Sequence, residues 1–223
     1  AFPVIYITAY MMMFDLGNFR KDETILIHGA GGGVGTAAIQ LAQSMGGKII
    51  GTASKWKHEK LHDMGVKQCI DYNNENVFEK IMKITGNRGV DLIIDPVGSH
   101  NWKTSYKCLA PLGKMIIFGD QNFVKGKSFN FFTSMKEIFS MPKFRPIDLM
   151  SKNKSVMGYH LGKLAGAEDK IQRAITELHT LAKDGKIKPV IDKIFPFIEA
   201  PEAHSHIQNK KNFGKVLLDF NDK

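Results

Sequence analysis

The sequence predicts an α/β protein built on a doubly wound parallel sheet. Three observations carry that expectation. β-Prone runs alternate with helical stretches along most of the 223 residues, a glycine cluster separates the first clear strand from the helix after it, and several strands are almost continuously aliphatic. Strands joined by helices of this length pack through right-handed crossovers, which lay helices on both faces of one sheet.

Taken in order, the opening AFPVIYITAYMMMF carries no charge before Asp15. It is too short to cross a bilayer and has neither a basic start nor a small-residue cleavage site, so a buried or interface helix is expected. TILIH (24–28) reads as a strand, GAGGGVG as a loop, and TAAIQLAQSMG as a helix closing at Gly46 and Gly47. KIIGTA, KQCIDY, VDLIIDPVG and LGKMIIFGD supply further strands, with KWKHEKLHDMG and ENVFEKIMKITG as helices between them. After residue 157 come the strand VMGYHLG, the amphipathic helix EDKIQRAITELHTLAKDG, and a closing strand, helix and strand in KPVIDKIFPF, PEAHSHIQNKK and GKVLLDF. Between them, residues 121–157 break the rhythm with Phe123, Phe129, Phe131, Phe132, Phe139 and Phe144 among many lysines. That stretch suits a substrate-covering flap, a dimer contact, a membrane-surface segment, or a plain helix and loop on the sheet edge.

Composition narrows the class. At 43% hydrophobic and 24% charged with 21 glycines, the chain is globular, which argues against disorder, collagen-like repeats and a membrane bundle. The net charge of +9 points to acidic partners. Cys69 and Cys108 form no CxxC or other zinc spacing and no disulfide framework, which fits a reducing cytoplasm. No RNP signature, helix-turn-helix or Cys/His finger accompanies the spread-out lysines, so nucleic acid gains little support. A start at Ala1 with apolar residues reads as a domain cut from a longer protein.

The glycine loop, with alanine in the first place of the GxGxxG form, follows a strand and opens a helix, which is the setting of a Rossmann-like dinucleotide fingerprint. Gly32 lets backbone approach a pyrophosphate, Gly35 lets helix and strand pack closely, and the helix N-terminus offers unpaired N–H groups. An NAD-preferring domain places Asp or Glu at the end of the second strand. Here that place reads Thr52-Ala53-Ser54-Lys55-Trp56-Lys57, without a carboxylate before Glu59. Ser54 can hydrogen-bond a 2′-phosphate and Lys55 or Lys57 can neutralise it, so NADPH is favoured over NADH.

Thr8-Ala9-Tyr10, TILIHGAGGGVGTAAIQLA, GTAS with a following lysine, IDY, VDLIIDPVG, LGKMIIFG and KKNFGKVLL together resemble the medium-chain dehydrogenase/reductase superfamily. Within it they are similar to the zinc-independent NADPH:quinone oxidoreductase branch and its vesicle amine transport protein-like members. The resemblance implies a 2′-phosphate site at Lys57, eight positions before Gly65, with Ser54 and Tyr72 as companions. It also implies a pyrophosphate loop at Gly32, Gly33, Val34 and Gly35, a cofactor-bordering strand end at Phe118 and Gly119, and nicotinamide-side positions at Asn212 and Thr8. No metal ligand is implied. Members of the superfamily begin with a GroES-like domain, and no such sequence is seen here. Residues 1–187 are therefore expected to be a linker helix plus the Rossmann domain, and residues 188–223 the return segment of that other domain. The implied activity is hydride transfer from NADPH to a quinone or α,β-unsaturated carbonyl. This chain alone is expected to bind NADPH but to turn over weakly, and its unpaired strand edges invite dimerisation.

Hydride transfer requires no acid–base dyad, and no Ser-His-Asp, HExxH or paired carboxylates stand out. His160, in a strand expected to end near the cofactor, can donate a proton to a reduced acceptor oxygen, or can be a hydrogen-bonded structural histidine. His204 and His206, two apart on a helix, face different sides and are expected to be exposed. The competing class is a nucleotide-binding interaction protein that acts at a membrane surface or partner through residues 121–157.

Overall fold

A computed structural model describes residues 1–119 and 141–221. Six strands form one parallel sheet: β1 (Thr24–His28), β2 (Lys48–Ala53), β3 (Gln68–Asp71), β4 (Val90–Asp95), β5 (Leu109–Ile117) and β6 (Ser155–Gly158). Their spatial order is β3-β2-β1-β4-β5-β6. The chain builds outward from β1 to β3, then crosses back to lay β4 on the other side of β1, with Ile25 opposite Leu92 and Ile27 opposite Ile94. That reversal leaves a crevice above the carboxyl ends of β1 and β4, where such sheets bind ligands.

The aliphatic runs have a direct cause: the sheet is buried on both faces. Ile25, Ile27, Leu92 and Ile94 point to a core shared with helices α1 (Phe2–Tyr10), α2 (Gly33–Ser44) and, farther along the chain, α7 (Glu168–Lys183). Their strand neighbours Leu26 and Ile93 point the other way, to a core with Ile81 of α4 (Val77–Ile84) and Trp102 of α5 (Ser99–Cys108). Each fully buried aliphatic side chain stabilises the fold by about 1.5–3 kcal/mol. The uncharged opening is, as expected, buried helix. Tyr6 donates a hydrogen bond to Gln40 at 2.9 Å, and the chain continues past Tyr10 as a π-helical stretch, Met11–Leu16.

Three stretches need comment. Helix α5 is not signalled by apolar periodicity, because its inner face is Trp102, Ser105 and Cys108, one of which is polar. The KWKHEKLHDMG stretch is a 3₁₀ turn, Lys55–Lys57, followed by the short helix α3 (His58–Asp63). Of residues 121–157, those up to 140 lie outside the described residues, so none of the alternatives for that aromatic stretch is decided; Phe144 packs beside Tyr106, and α6 (Pro146–Lys152) leads into β6. After α7, β7 (Ile191–Pro196) and β8 (Lys215–Asp219) pair parallel as a separate two-stranded sheet, with α8 (Ala200–Gln208) between them in sequence. Among the described residues no helix is long and apolar enough to cross a membrane.

Candidate functional site

The glycine loop closes tightly over the end of β1. Gly32 N–H donates to the Gly29 carbonyl at 2.9 Å, and Gly32 is the N-cap of α2, which starts within the glycine cluster at Gly33. A Cβ on Gly35 would lie 2.4 Å from the Gly29 oxygen and 2.6 Å from the Ala30 oxygen, so only glycine lets helix and strand meet this closely. A Cβ on Gly32 would meet only the Gly29 oxygen, at 3.2 Å, so that side of the loop faces open space. No side chain caps α2, which leaves the first N–H groups of a twelve-residue helix available to an anion. Val34 is half-buried against the α1 side of the core.

At the end of β2, Ser54 and Tyr72 are brought together, their hydroxyls 2.9 Å apart. Lys57 lies over the loop: its stem fills the space a Cβ on Gly31 would occupy, and only 8% of it is exposed. Burial pushes its ammonium pKa down and Asp192 opposes the fall, while Lys210 and Lys60 add to it. Lys55, the alternative cation, is exposed. The sequence reading missed Lys60 and Lys210. Lys60 stands 5.5 Å from the Phe213 ring and Lys210 5.3 Å from the Tyr72 ring. Three like charges crowd this corner with Asp192 as their nearby counter-charge, an arrangement that favours an incoming anion.

Residues from the far end of the chain cover the loop. Gly214 N–H donates to the Gly31 carbonyl at 2.9 Å, and the stem of Lys215 lies 2.7 Å from where a Gly33 Cβ would be. Lys215 is thus a further cation beside the glycine loop that the glycine pattern did not reveal. Asn212 donates to its own neighbour's carbonyl, that of Gly214, at 2.9 Å. His206 corrects the expectation of an exposed side chain: it is half-buried and bonded at 2.7 Å to Asp192, whereas His204 is exposed.

Beneath the crevice runs a buried polar chain. His28, at the end of β1, places Nδ1 3.1 Å from Thr52 Oγ1 and Nε2 3.0 Å from Ser105 Oγ. Ser105 donates to Asp95 Oδ2 at 2.7 Å, Asn101 donates to the same oxygen, and Val97 N–H donates to Asp95 Oδ1. Burial holds the His28 pKa below its ordinary value, with Asp95 pulling the other way. The network ties the ends of β1, β2 and β4 to α5.

On the other side of β4, Phe118, Gly119 and His160 line one cavity of about 650 Å³. His160 sits at its exposed rim, past the end of β6. Thr8 is buried on α1 next to Tyr159, close enough to ease slightly the rise in the tyrosine pKa that burial causes, to about 12, without reaching hydrogen-bond geometry. The structure thus gathers the predicted residues into two groups, one around the glycine loop and one around this cavity.

A family model described as zinc-binding dehydrogenase matches residues 64–218. The synaptic vesicle membrane protein VAT-1 homolog of Rattus norvegicus is 39% identical over 219 residues, which are 98% of this chain and 54% of that protein. The Homo sapiens homolog is 38% identical, with 98% and 56% covered. The chain therefore spans about half the length of the curated relatives it matches. Among solved structures, human VAT-1 homolog-like protein superposes with a TM-score of 0.81 at 30% identity, covering 100% of this chain and 61% of that one. Escherichia coli quinone oxidoreductase complexed with NADPH gives a TM-score of 0.80 at 27% identity, covering 96% and 62%. The family model's name implies zinc, but the described residues do not fit it. They contain no group of three or more His, Cys, Asp or Glu arranged to hold a metal ion, and burial pushes the Cys108 thiol up to about 12, far from a thiolate ligand. Matched by that model over most of its length, and by these relatives along nearly all of it, the chain belongs to the medium-chain dehydrogenase/reductase superfamily, on the branch that holds VAT-1 and the quinone oxidoreductases.

Proposed function

We propose that this chain is the NADPH-binding unit of a zinc-independent oxidoreductase that reduces a quinone or an α,β-unsaturated carbonyl. One observation carries the reading: where an NAD-preferring domain holds a carboxylate, this chain sets the Ser54–Tyr72 pair among Lys57, Lys60 and Lys210, beside an uncapped helix N-terminus. The residues fit the cofactor. Ser54, Tyr72 and Lys57 would hold the 2′-phosphate; Gly32, Gly33, Val34, Gly35 and Lys215 the pyrophosphate; and Phe118, Gly119, Thr8 and Asn212 would border the nicotinamide half. When bound, NADPH supplies the hydride. Lys57 and its neighbours would hold and orient the phosphate end, and His160, exposed at the cavity rim, would give a proton to the reduced acceptor. The E. coli quinone oxidoreductase holds NADPH on the same fold, which supports the assignment.

Residues 188–223 are read as the return segment of a second domain. β7 and the 3₁₀ turn after it leave Ile194 54%, Phe197 53% and Ile198 80% exposed, apolar side chains that suit contact with either that domain or a second copy of the chain. We place the protein in the cytoplasm and expect these 223 residues alone to turn over weakly; steady-state quinone reduction at full rate would refute that. A second reading, an interaction protein at a membrane surface, draws on the relatives' name as synaptic vesicle membrane proteins.

The test is titration with NADPH and NADH on wild type and on Lys57→Met, which keeps the stem over Gly31 while removing the charge. NADPH should bind tighter, and the variant should lose about ten- to a hundredfold in NADPH affinity with NADH unchanged, as for a charge-assisted hydrogen bond of about 1.5–3 kcal/mol. Equal affinities in wild type would refute the 2′-phosphate assignment. Binding of neither would favour the interaction protein.

A further inference from the structure

A second cavity, of about 470 Å³, opens on the face of the sheet opposite α2, between α5, residues 142–144 and α6. The inner face of α5 is spent on Trp102, Ser105 and Cys108. Lys103 and Lys107, four apart on the same side of that helix, are therefore exposed and line the cavity. Lys143 and Lys152 line it from the other two elements. Tyr106 gathers further charge: the Lys152 ammonium lies 5.7 Å from the centre of its ring and that of Lys154 5.3 Å, and Lys154 also donates to the Tyr106 carbonyl at 3.2 Å. Burial pushes the Lys154 pKa down, and Lys152 adds to the fall. One carboxylate lines the cavity, that of Asp148, and among the described residues it forms no ion pair with any of these lysines.

This arrangement works against the folded state. Like charges four apart on a helix repel, and Lys154 is partly desolvated beside a second ammonium. An anion seated among the lysines relieves both penalties. The wall also sets its class: ammonium groups are point-charge donors suited to phosphate oxygens. Nucleic acid spreads its charges along an extended line, whereas here three chain segments converge on one concave space, within the range of about 300–1,000 Å³ usual for small-molecule sites. Phe144 and Leu149 add a half-buried apolar lining, which reduces the solvent screening of charge beside it.

We propose that the cavity between α5 and α6 binds a compact soluble anion carrying two or more linked phosphates, held by Lys103, Lys107, Lys143 and Lys152. This site lies outside the oxidoreductase reading and stands or falls without it.

Inorganic tripolyphosphate is the probe, titrated by calorimetry into the full chain in magnesium-free buffer at fixed ionic strength. The expected result is a saturable binding event that Lys107→Gln/Lys152→Gln weakens by at least about tenfold and that Lys57→Met, at the glycine loop, leaves unchanged. If tripolyphosphate does not bind, or if only Lys57→Met weakens it, the proposal is overturned. Orthophosphate should bind at least about tenfold more weakly, and equal affinities would overturn a site for linked phosphates. The pair Lys67→Gln/Lys83→Gln, exposed and outside the cavity lining, should change nothing. An equal loss there would mean that the net charge of +9 attracts the anion without a site, and overturns the proposal as well. If the cavity pair does not fold, Lys103→Gln/Lys143→Gln decides by the same criterion. Binding of a short single-stranded RNA that the cavity pair abolishes and tripolyphosphate does not displace would mark an extended nucleic-acid surface instead.

Discussion

Mild acid should weaken the fold through His28 before its hydrogen-bonded carboxylates respond. The imidazole is 3% exposed, and both ring nitrogens are engaged by hydroxyls, Thr52 at 3.1 Å and Ser105 at 3.0 Å. Burial lowers its pKa below 6.5, and Asp95, 4.0 Å away, offsets this only in part. The folded state therefore takes up this proton at lower pH than the unfolded chain does. Between the depressed value and 6.5 the unfolded chain binds more protons, so stability rises with pH there. The contribution is fully present above about pH 6.5 and is lost on acidification at up to about 1.4 kcal/mol per pH unit. For a chain of this size that corresponds to roughly 3–6 °C in Tm per unit. Asp71, Glu75 and Asp91 have lowered pKa values from their hydrogen bonds and ion pairs, so their contributions are lost as the pH falls through the ordinary carboxylate value of about 4, below the His28 window. The assay is urea unfolding at pH 7.5, 6.5 and 5.5 on wild type and His28→Gln. The amide keeps one donor and one acceptor and cannot titrate, so the difference between the two curves isolates His28. Wild-type stability should fall more steeply between pH 6.5 and 5.5. Parallel curves would refute the buried neutral imidazole.

Two substitutions in the glycine loop should separate fold from binding. Gly35→Ala places a methyl 2.4 Å from one backbone oxygen and 2.6 Å from another, and it should cost at least about 1–3 kcal/mol in urea unfolding. Gly32→Ala meets one oxygen at 3.2 Å and should leave Tm within a few degrees while abolishing NADPH binding by calorimetry, because the methyl covers the open side of the loop. Asn76 caps α4 by accepting from Glu79 N–H at 3.3 Å and by donating to the Glu79 carboxylate at 2.8 Å; Asn76→Ala should cost about 1 kcal/mol, read from the urea midpoint at constant m.

Much of the sheet was legible because its strands obey one constraint. Buried on both faces, they must be aliphatic throughout, so TILIH and VDLIID announce themselves, and the helix after the glycines follows from the loop. Helix α5 was not legible, because its buried face is spent on Ser105, which exists to bridge His28 and Asp95 rather than to fill a hydrophobic stripe. That Ser54, Lys57 and Tyr72 belong to one corner was legible from the missing carboxylate and the family pattern. Lys60, Lys210 and Lys215 could not, because a lysine on an open surface and one gathered at the loop look alike until tertiary structure sets them beside one ring or one glycine. His206 was misjudged for the same reason: its partner Asp192 lies 14 residues away on a strand, not on its own helix.

The proposed boundary at 187/188 therefore separates sheets but not the site. β7 and β8 pair only with each other among the described strands, yet the turn before β8 forms a bridge between Gly214 and Gly32 and covers the loop with Phe213 and Lys215. Asp192, held by His206, supplies the counter-charge that works against the desolvation of Lys57. Gly214 itself is constrained: its φ is +87°, and a Cβ there would lie 2.4 Å from the Val190 carbonyl oxygen. Backbone that stiff conveys position rather than absorbing it. The glycine loop is thus assembled from two distant parts of the chain, and the charge around it depends in part on Asp192, Lys210 and Lys215, about 157 to 184 positions downstream of the glycines that make it recognisable.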